Sequence, residues 1–155
     1  PSNPRCPECP FNEVCVAFLE DRTNELPVKS KVISKRVRHF NYIVFGHQNS
    51  LLICQRTSKD IYSGMYEFYL WESEAEVKDE DVRLKLKTII DRPVKFKKIS
   101  LLKPHILTHQ RLVIHFFEIE MTKTQDLAGG QWIALDLLKK LPVPKFIHDY
   151  LNNIS

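Results

Sequence analysis

His39-Phe40-Asn41-Tyr42-Ile43-Val44-Phe45-Gly46-His47-Gln48-Asn49-Ser50-Leu51-Leu52-Ile53-Cys54-Gln55 is the stretch from which the fold is read. Phe40, Tyr42 and Val44 alternate with His39, Asn41 and Ile43. A period of two belongs to a strand, because successive strand side chains point to opposite faces. Gly46 to Ser50 is polar and turn-forming, and Leu51 to Gln55 is apolar again, so the segment predicts a β-hairpin. Cys54 follows three aliphatic residues and is expected as a buried core thiol.

Further extended segments are expected at 65–70 after Ser63-Gly64, at 94–102 and at 112–121, the last dense in Val, Ile and Phe. Another is expected at 131–134, after the turn Ala128-Gly129-Gly130. A central helix is predicted where Asp79, Glu80 and Asp81 suit a positive helix N-terminus and Val82, Leu86, Ile89 and Ile90 form an apolar stripe. Asp91-Arg92-Pro93 ends it. A C-terminal helix is predicted with Pro144 in its first turn and Phe146, Ile147, Tyr150, Leu151 and Ile154 on one face. His105 to Gln110 is expected as a polar-tipped loop, and His115 as a strand residue facing solvent or a core edge. Trp71 and Trp132 are expected as core or edge aromatics. The order is α+β: a strand-dominated domain with one central and one C-terminal helix.

The charge is unevenly spread. From Arg92 to Phe117 there is no acidic residue, and Lys95, Lys97, Lys98, Lys103 and Arg111 fall inside that window. Lys29, Lys31, Lys35, Arg36 and Arg38 form a second acid-free stretch. Glu67, Glu72, Glu74, Glu76, Asp79, Glu80 and Asp81 gather between the two. Such segregation favours a partner rich in phosphates, since basic surface gains affinity by releasing condensed counterions. It is equally compatible with a solvated face. No apolar run approaches the ~20 residues of a membrane helix, so a soluble chain is expected, with no membrane partner.

At the front of the chain stands Cys6-x2-Cys9-x5-Cys15, stiffened by Pro7 and Pro10. Closely spaced thiolates suit zinc or an iron–sulfur cluster; a disulfide with a spare thiol, or coincidence, is the plainer reading. A tetrahedral site or cubane needs four ligands. Pro1 is not an initiator methionine, so the fourth is expected upstream of it.

The run Cys-Pro-Glu-Cys-Pro-Phe-Asn-Glu-Val-Cys, 6–15, resembles the last three ligands of the Cys-x6-Cys-x2-Cys-x5-Cys motif of adenine DNA glycosylases of the MutY family. Leu26-Pro27-Val28-Lys29, Leu51-Leu52-Ile53-Cys54-Gln55-Arg56, Gly64-Met65-Tyr66-Glu67-Phe68 and His105-Ile106-Leu107-Thr108-His109 are similar to that family too, and the resemblance spans 6 to about 150. It implies three parts: the end of a cluster loop over 1–24, a connector over 25–36, and a Nudix-like mixed β-sheet domain over 37–155 that recognises 8-oxoguanine. It implies that Cys6, Cys9 and Cys15 ligate a [4Fe–4S] cluster in the intact protein, absent from the present chain for want of a ligand.

The resemblance further implies that Leu107, Thr108 and His109 match the family's Phe-Ser-His loop against 8-oxoguanine. Thr keeps the hydroxyl of Ser, whereas Leu107 lacks the aromatic ring. Gln110 and Arg111 are assigned to nearby phosphates by position and charge. The expected partner is double-stranded DNA with an adenine–8-oxoguanine mispair, the expected activity of the intact protein is adenine release, and the catalytic carboxylates are expected outside this chain. A monomer in the bacterial cytoplasm or nucleoid is expected. A magnesium-dependent Nudix pyrophosphatase would need Arg-Glu-x-x-Glu-Glu on a helix. Residues 71–83 hold no such arrangement. A protein-interaction module is the other alternative.

Overall fold

The computed structural model describes residues 4–26, 28, 34–90, 94–101, 104–127 and 129–154, with 97–101 described by their backbone. The helix stop expected at Asp91-Arg92-Pro93 and half of the 25–36 connector lie outside these residues, as do Lys29, Lys31 and Lys103. The chain forms two compact units, Pro1–Ser34 and Lys35–Ser155.

In the first unit the cysteine run winds through two single 3-10 turns, Cys6–Glu8 and Asn12–Val14, before a one-turn helix α1 (Val16–Leu19). Pro7 sits early in the first turn, where its missing N–H costs no intrahelical hydrogen bond.

The second unit contains β1 (Arg36–His47), β2 (Ser50–Gln55), β3 (Tyr66–Glu67), β4 (Tyr69–Ser73), α2 (Asp79–Ile89), β5 (Lys95–Leu101), β6 (His105–Ile106), β7 (Gln110–Glu120), β8 (Gln131–Ala134), α3 (Leu135–Leu138) and α4 (Lys145–Asn153). All the strands join one mixed sheet. Its spine is the parallel pair β1–β7, in register from Arg36↔Gln110 to Gly46↔Glu120. The β1–β2 hairpin turns at Gln48 and Asn49. β4 flanks β1, and β5 and then β6 flank β7, all antiparallel.

Both alternating sets in β1 are buried, because helices cover both faces of the sheet. Phe40, Tyr42, Val44, Ile114 and Phe116 pack with Phe146, Ile147, Tyr150 and Leu151 of α4. Ile43, Phe45, Phe117 and Ile119 pack with Val82, Leu86 and Ile90 at α2. The Phe116 ring stacks on Tyr150 at 4.2 Å and on Tyr42 at 5.5 Å. α4 has nine residues, short for a helix that must stand alone. Its four buried side chains, at about 2 kcal/mol each, hold it in place.

Several expectations are refined. The extended segment at 65–70 is two strands broken at Phe68, where the chain changes partner from β2 to β1 and drives a fully buried ring into the core. Pro144 is the N-cap of α4 rather than a first-turn residue, and α3 was not foreseen. Cys54 is half-buried instead of fully buried. His115 is 5% exposed, so of the two expected positions the solvent-facing one is excluded; Glu76 Oε1 lies 3.7 Å from its Nε2.

Candidate nucleic-acid interface

Residues 105–110, expected as a loop, form a tight hairpin. β6 pairs with β7 through His105↔Leu112 and Ile106↔Arg111, and the Leu107 N–H donates to the Gln110 carbonyl at 2.8 Å. Thr108 and His109 are thereby left at the tip, both exposed. The Arg36 N–H donates to the His109 carbonyl at 3.1 Å, tying the tip to the start of β1. Backbone hydrogen bonds fix the loop and leave its hydroxyl and imidazole free for a ligand.

The five assigned residues do not all face outward. Thr108, His109 and Arg111 are exposed. Leu107 turns inward and packs on the cluster of Phe40, Leu112 and Phe146, so it anchors the tip. Gln110 is half-buried, and its Oε1 accepts from Arg38 Nη1 at 3.0 Å.

That bond opens onto a network the sequence reading missed. Arg38 donates to Glu72 through Nε and Nη2, both at 2.6 Å, and to Asp60 at 2.7 Å. Arg56 donates to Asp60 at 2.9 Å and to Glu67 at 2.9 and 3.1 Å. Tyr42 donates its hydroxyl to Glu67 at 3.0 Å. Both guanidiniums lie over the Phe40 ring, at 4.9 and 5.6 Å. The hydrogen bond from Arg38 holds Asp60 and Glu72 below the ordinary carboxylate range. One signal was available: Arg38 is in phase with Phe40, Tyr42 and Val44, and a charge on a core-facing phase needs a buried counter-charge.

Glu67 is therefore buried and ion-paired, and Glu72, although exposed, is ion-paired as well. On α2, Asp81 Oδ2 accepts from the Lys78 N–H at 2.8 Å, and Asp79 and Glu80 are exposed. Among the described residues no three His, Cys, Asp or Glu side chains are grouped to hold a metal ion. A cavity in this unit lies at the far end of the sheet from the hairpin, lined by Gln48, Asn49, Glu118, Glu120 and Tyr150 among others. Its carboxylates would repel a phosphate backbone.

In the first unit Cys6, Cys9 and Cys15 line one cavity together with Pro4, Arg5, Ala17, Thr23 and Leu26. All four cysteines are free thiols.

His115 gives the pH response a definite sign. Burial pushes its pKa below the ordinary 6.5, and Glu76, with Oε1 3.7 Å from Nε2, only partly opposes this. The unfolded chain binds the extra proton, so this contribution is complete above about pH 6.5 and is lost as pH falls through the folded value. Asp60 and Glu72 add a second loss below about pH 4, again because their folded values are depressed. Tm measured from pH 8 to pH 3 should therefore fall in two stages, and His115→Gln should remove the upper stage. An unchanged upper stage in that variant would assign it to another group.

The chain matches a family model described as NUDIX domain over residues 41–153. It is 24% identical over 159 residues to the adenine DNA glycosylase of Buchnera aphidicola subsp. Acyrthosiphon pisum (strain APS), covering 97% of this chain and 44% of the relative. The chain thus spans less than half the length of the curated relatives it matches. Its fold is similar to that of the MutT protein from Methanosarcina mazei Go1, with a TM-score of 0.60 at 12% identity, covering 79% and 95% of the two chains. It is also similar to the C-terminal domain of mouse MUTYH, solved in complex with human PCNA, with a TM-score of 0.53 at 13% identity, covering 75% and 87%.

Proposed function

We propose that this chain, which belongs to the NUDIX domain family, is the lesion-recognition part of an adenine DNA glycosylase. The glycosylase relative aligns with nearly the whole chain, a span that takes in the cysteine run as well as the Nudix-like domain, and this supports the reading. The observation that carries it is the hairpin tip, which displays Thr108 and His109 to solvent on a loop held by its own backbone.

The chemistry fits an oxidised guanine. Oxidation adds O8 as an acceptor and protonates N7, so the edge gains a donor beside an acceptor. The Thr108 hydroxyl can donate and accept at once, and His109 adds a second ring partner. Arg111, with Arg36 at the neighbouring strand end, supplies positive charge for phosphates. In the intact protein the adenine opposite the lesion is flipped out and its N-glycosidic bond cleaved, and a recognised base on the opposite strand offsets part of the unstacking cost. Cys6, Cys9 and Cys15, which line one cavity, would supply three thiolates of a [4Fe–4S] cluster in the intact protein.

Adenine release by the intact protein is the test. Faster release opposite 8-oxoguanine than opposite guanine is expected, together with no release by residues 1–155 alone. Equal release from both duplexes would sink the lesion-recognition reading. Magnesium-dependent hydrolysis of an oxidised nucleotide by this chain would replace it with the pyrophosphatase.

A further inference from the structure

Val37 on β1, Arg111 on β7 and Ile106 on β6 form one cross-strand row, in the pairings Val37↔Arg111 and Ile106↔Arg111. All three are exposed, Val37 at 51% and Ile106 at 63%. A single exposed aliphatic residue needs no explanation. Two of them flanking a cation, one residue from the hairpin tip, make a different surface. The alternation of the strand sets it up: Leu107 faces the core, so its neighbour Ile106 faces out. The apolar contact that the resemblance assigns to position 107 is therefore available from position 106.

We propose that the Val37–Arg111–Ile106 row is a DNA-docking surface, with Arg111 on a phosphate and the two aliphatic side chains against the sugar and base edges beside it. The proposal rests on the lesion-recognition reading and extends it to Val37 and Ile106. Charge selects the partner. Neither 34–39 nor 104–115 contains a carboxylate, and Lys35, Arg36 and His109 are near in sequence; Glu76, 3.7 Å from the His115 ring four residues along β7 from Arg111, is the acid on this side of the strand. A second copy of this chain docked on the same patch would set Arg111 against its own mate. A nucleic-acid backbone instead offers anionic oxygens alternating with apolar sugar faces, the same alternation that the row presents.

The test is the affinity of the chain for a short duplex with adenine opposite 8-oxoguanine, measured across a salt series. Ile106→Ser with Val37→Ser should weaken binding about ten-fold at every salt concentration, because an apolar contact is not screened. Arg111→Gln should instead lower the salt slope by about one. Leu84→Ser, at an aliphatic side chain equally exposed on α2, is the control and should bind as wild type. Unfolding temperatures of all four proteins should stay close together, since every site is exposed. Wild-type affinity in the Ile106/Val37 variant would overturn the proposal, as would a change in oligomeric state with DNA affinity intact. A wild-type chain that fails to bind duplex DNA would overturn the lesion-recognition reading with it.

Discussion

The preference of the intact protein for adenine opposite 8-oxoguanine is expected to drop by about ten- to a hundred-fold when Thr108→Ala and His109→Ala are combined. The size follows from what the ligand edge loses. A donor beside an acceptor on the oxidised base would lie within the interface with neither partner, and an unpaired buried polar group costs about 1–3 kcal/mol. Ordinary guanine lacks that edge and loses little, so the effect falls on the ratio of rates. The loop itself should survive the substitutions. Its geometry rests on the Leu107 N–H to Gln110 carbonyl bond at 2.8 Å and the Arg36 N–H to His109 carbonyl bond at 3.1 Å, neither of which uses a side chain that is removed. Release rates on the two duplexes, taken with Tm as a check on folding, decide the matter. A retained preference in a folded variant would move recognition off this hairpin.

The largest stability effect is expected at Arg56. Its side chain is 7% exposed and pairs with Glu67, which is 9% exposed, so the two charges share one dry site. Arg56→Met should cost about 3–5 kcal/mol, because it strands the Glu67 carboxylate with only the Tyr42 hydroxyl for support. The gross attraction matters less than this orphaning. Replacing both partners, as Arg56→Met with Glu67→Met, should recover much of the loss, since neither charge then has to be buried. Urea unfolding with an unchanged m-value would measure both variants. A single variant as stable as wild type would mean that water reaches the pair. The same network continues through Asp60 to Arg38 and Gln110, so the stability of the hairpin base and of the core are physically joined.

The cavity and surface evidence separates the two units by chemistry. Thiols line the first unit's cavity, while in the second a basic and apolar row stands beside the hairpin tip. In that second unit Glu72 and Glu67 are held by the guanidiniums of Arg38 and Arg56, and Asp81 accepts from the Lys78 N–H at the start of α2. Those pairings leave the sheet as a platform for presenting a loop.

The sequence by itself determined most of the local elements, because they rest on short-range patterning. Period two marked the first strand of the β1–β2 hairpin, density in Val, Ile and Phe marked the strand at 112–121, and period 3.6 marked the stripes of α2 and α4, whereas α3 and the short strand β6 were not foreseen. It also located the tip residues Thr108 and His109 by resemblance, and the acid-free windows by composition. The tertiary structure decided what depends on partners far away in the chain. The parallel pairing of β1 with β7 joins residues more than seventy positions apart, and no local pattern encodes it. The helices packed on the sheet bury both faces of β1, and Arg38, Asp60, Glu72 and Gln110, from four separate stretches of chain, meet in one network. The pairing of β6 with β7 likewise settles which way this hairpin's residues face, with Leu107 on the core and Ile106 at the surface, because a side chain's direction is fixed only once the strand has a neighbour.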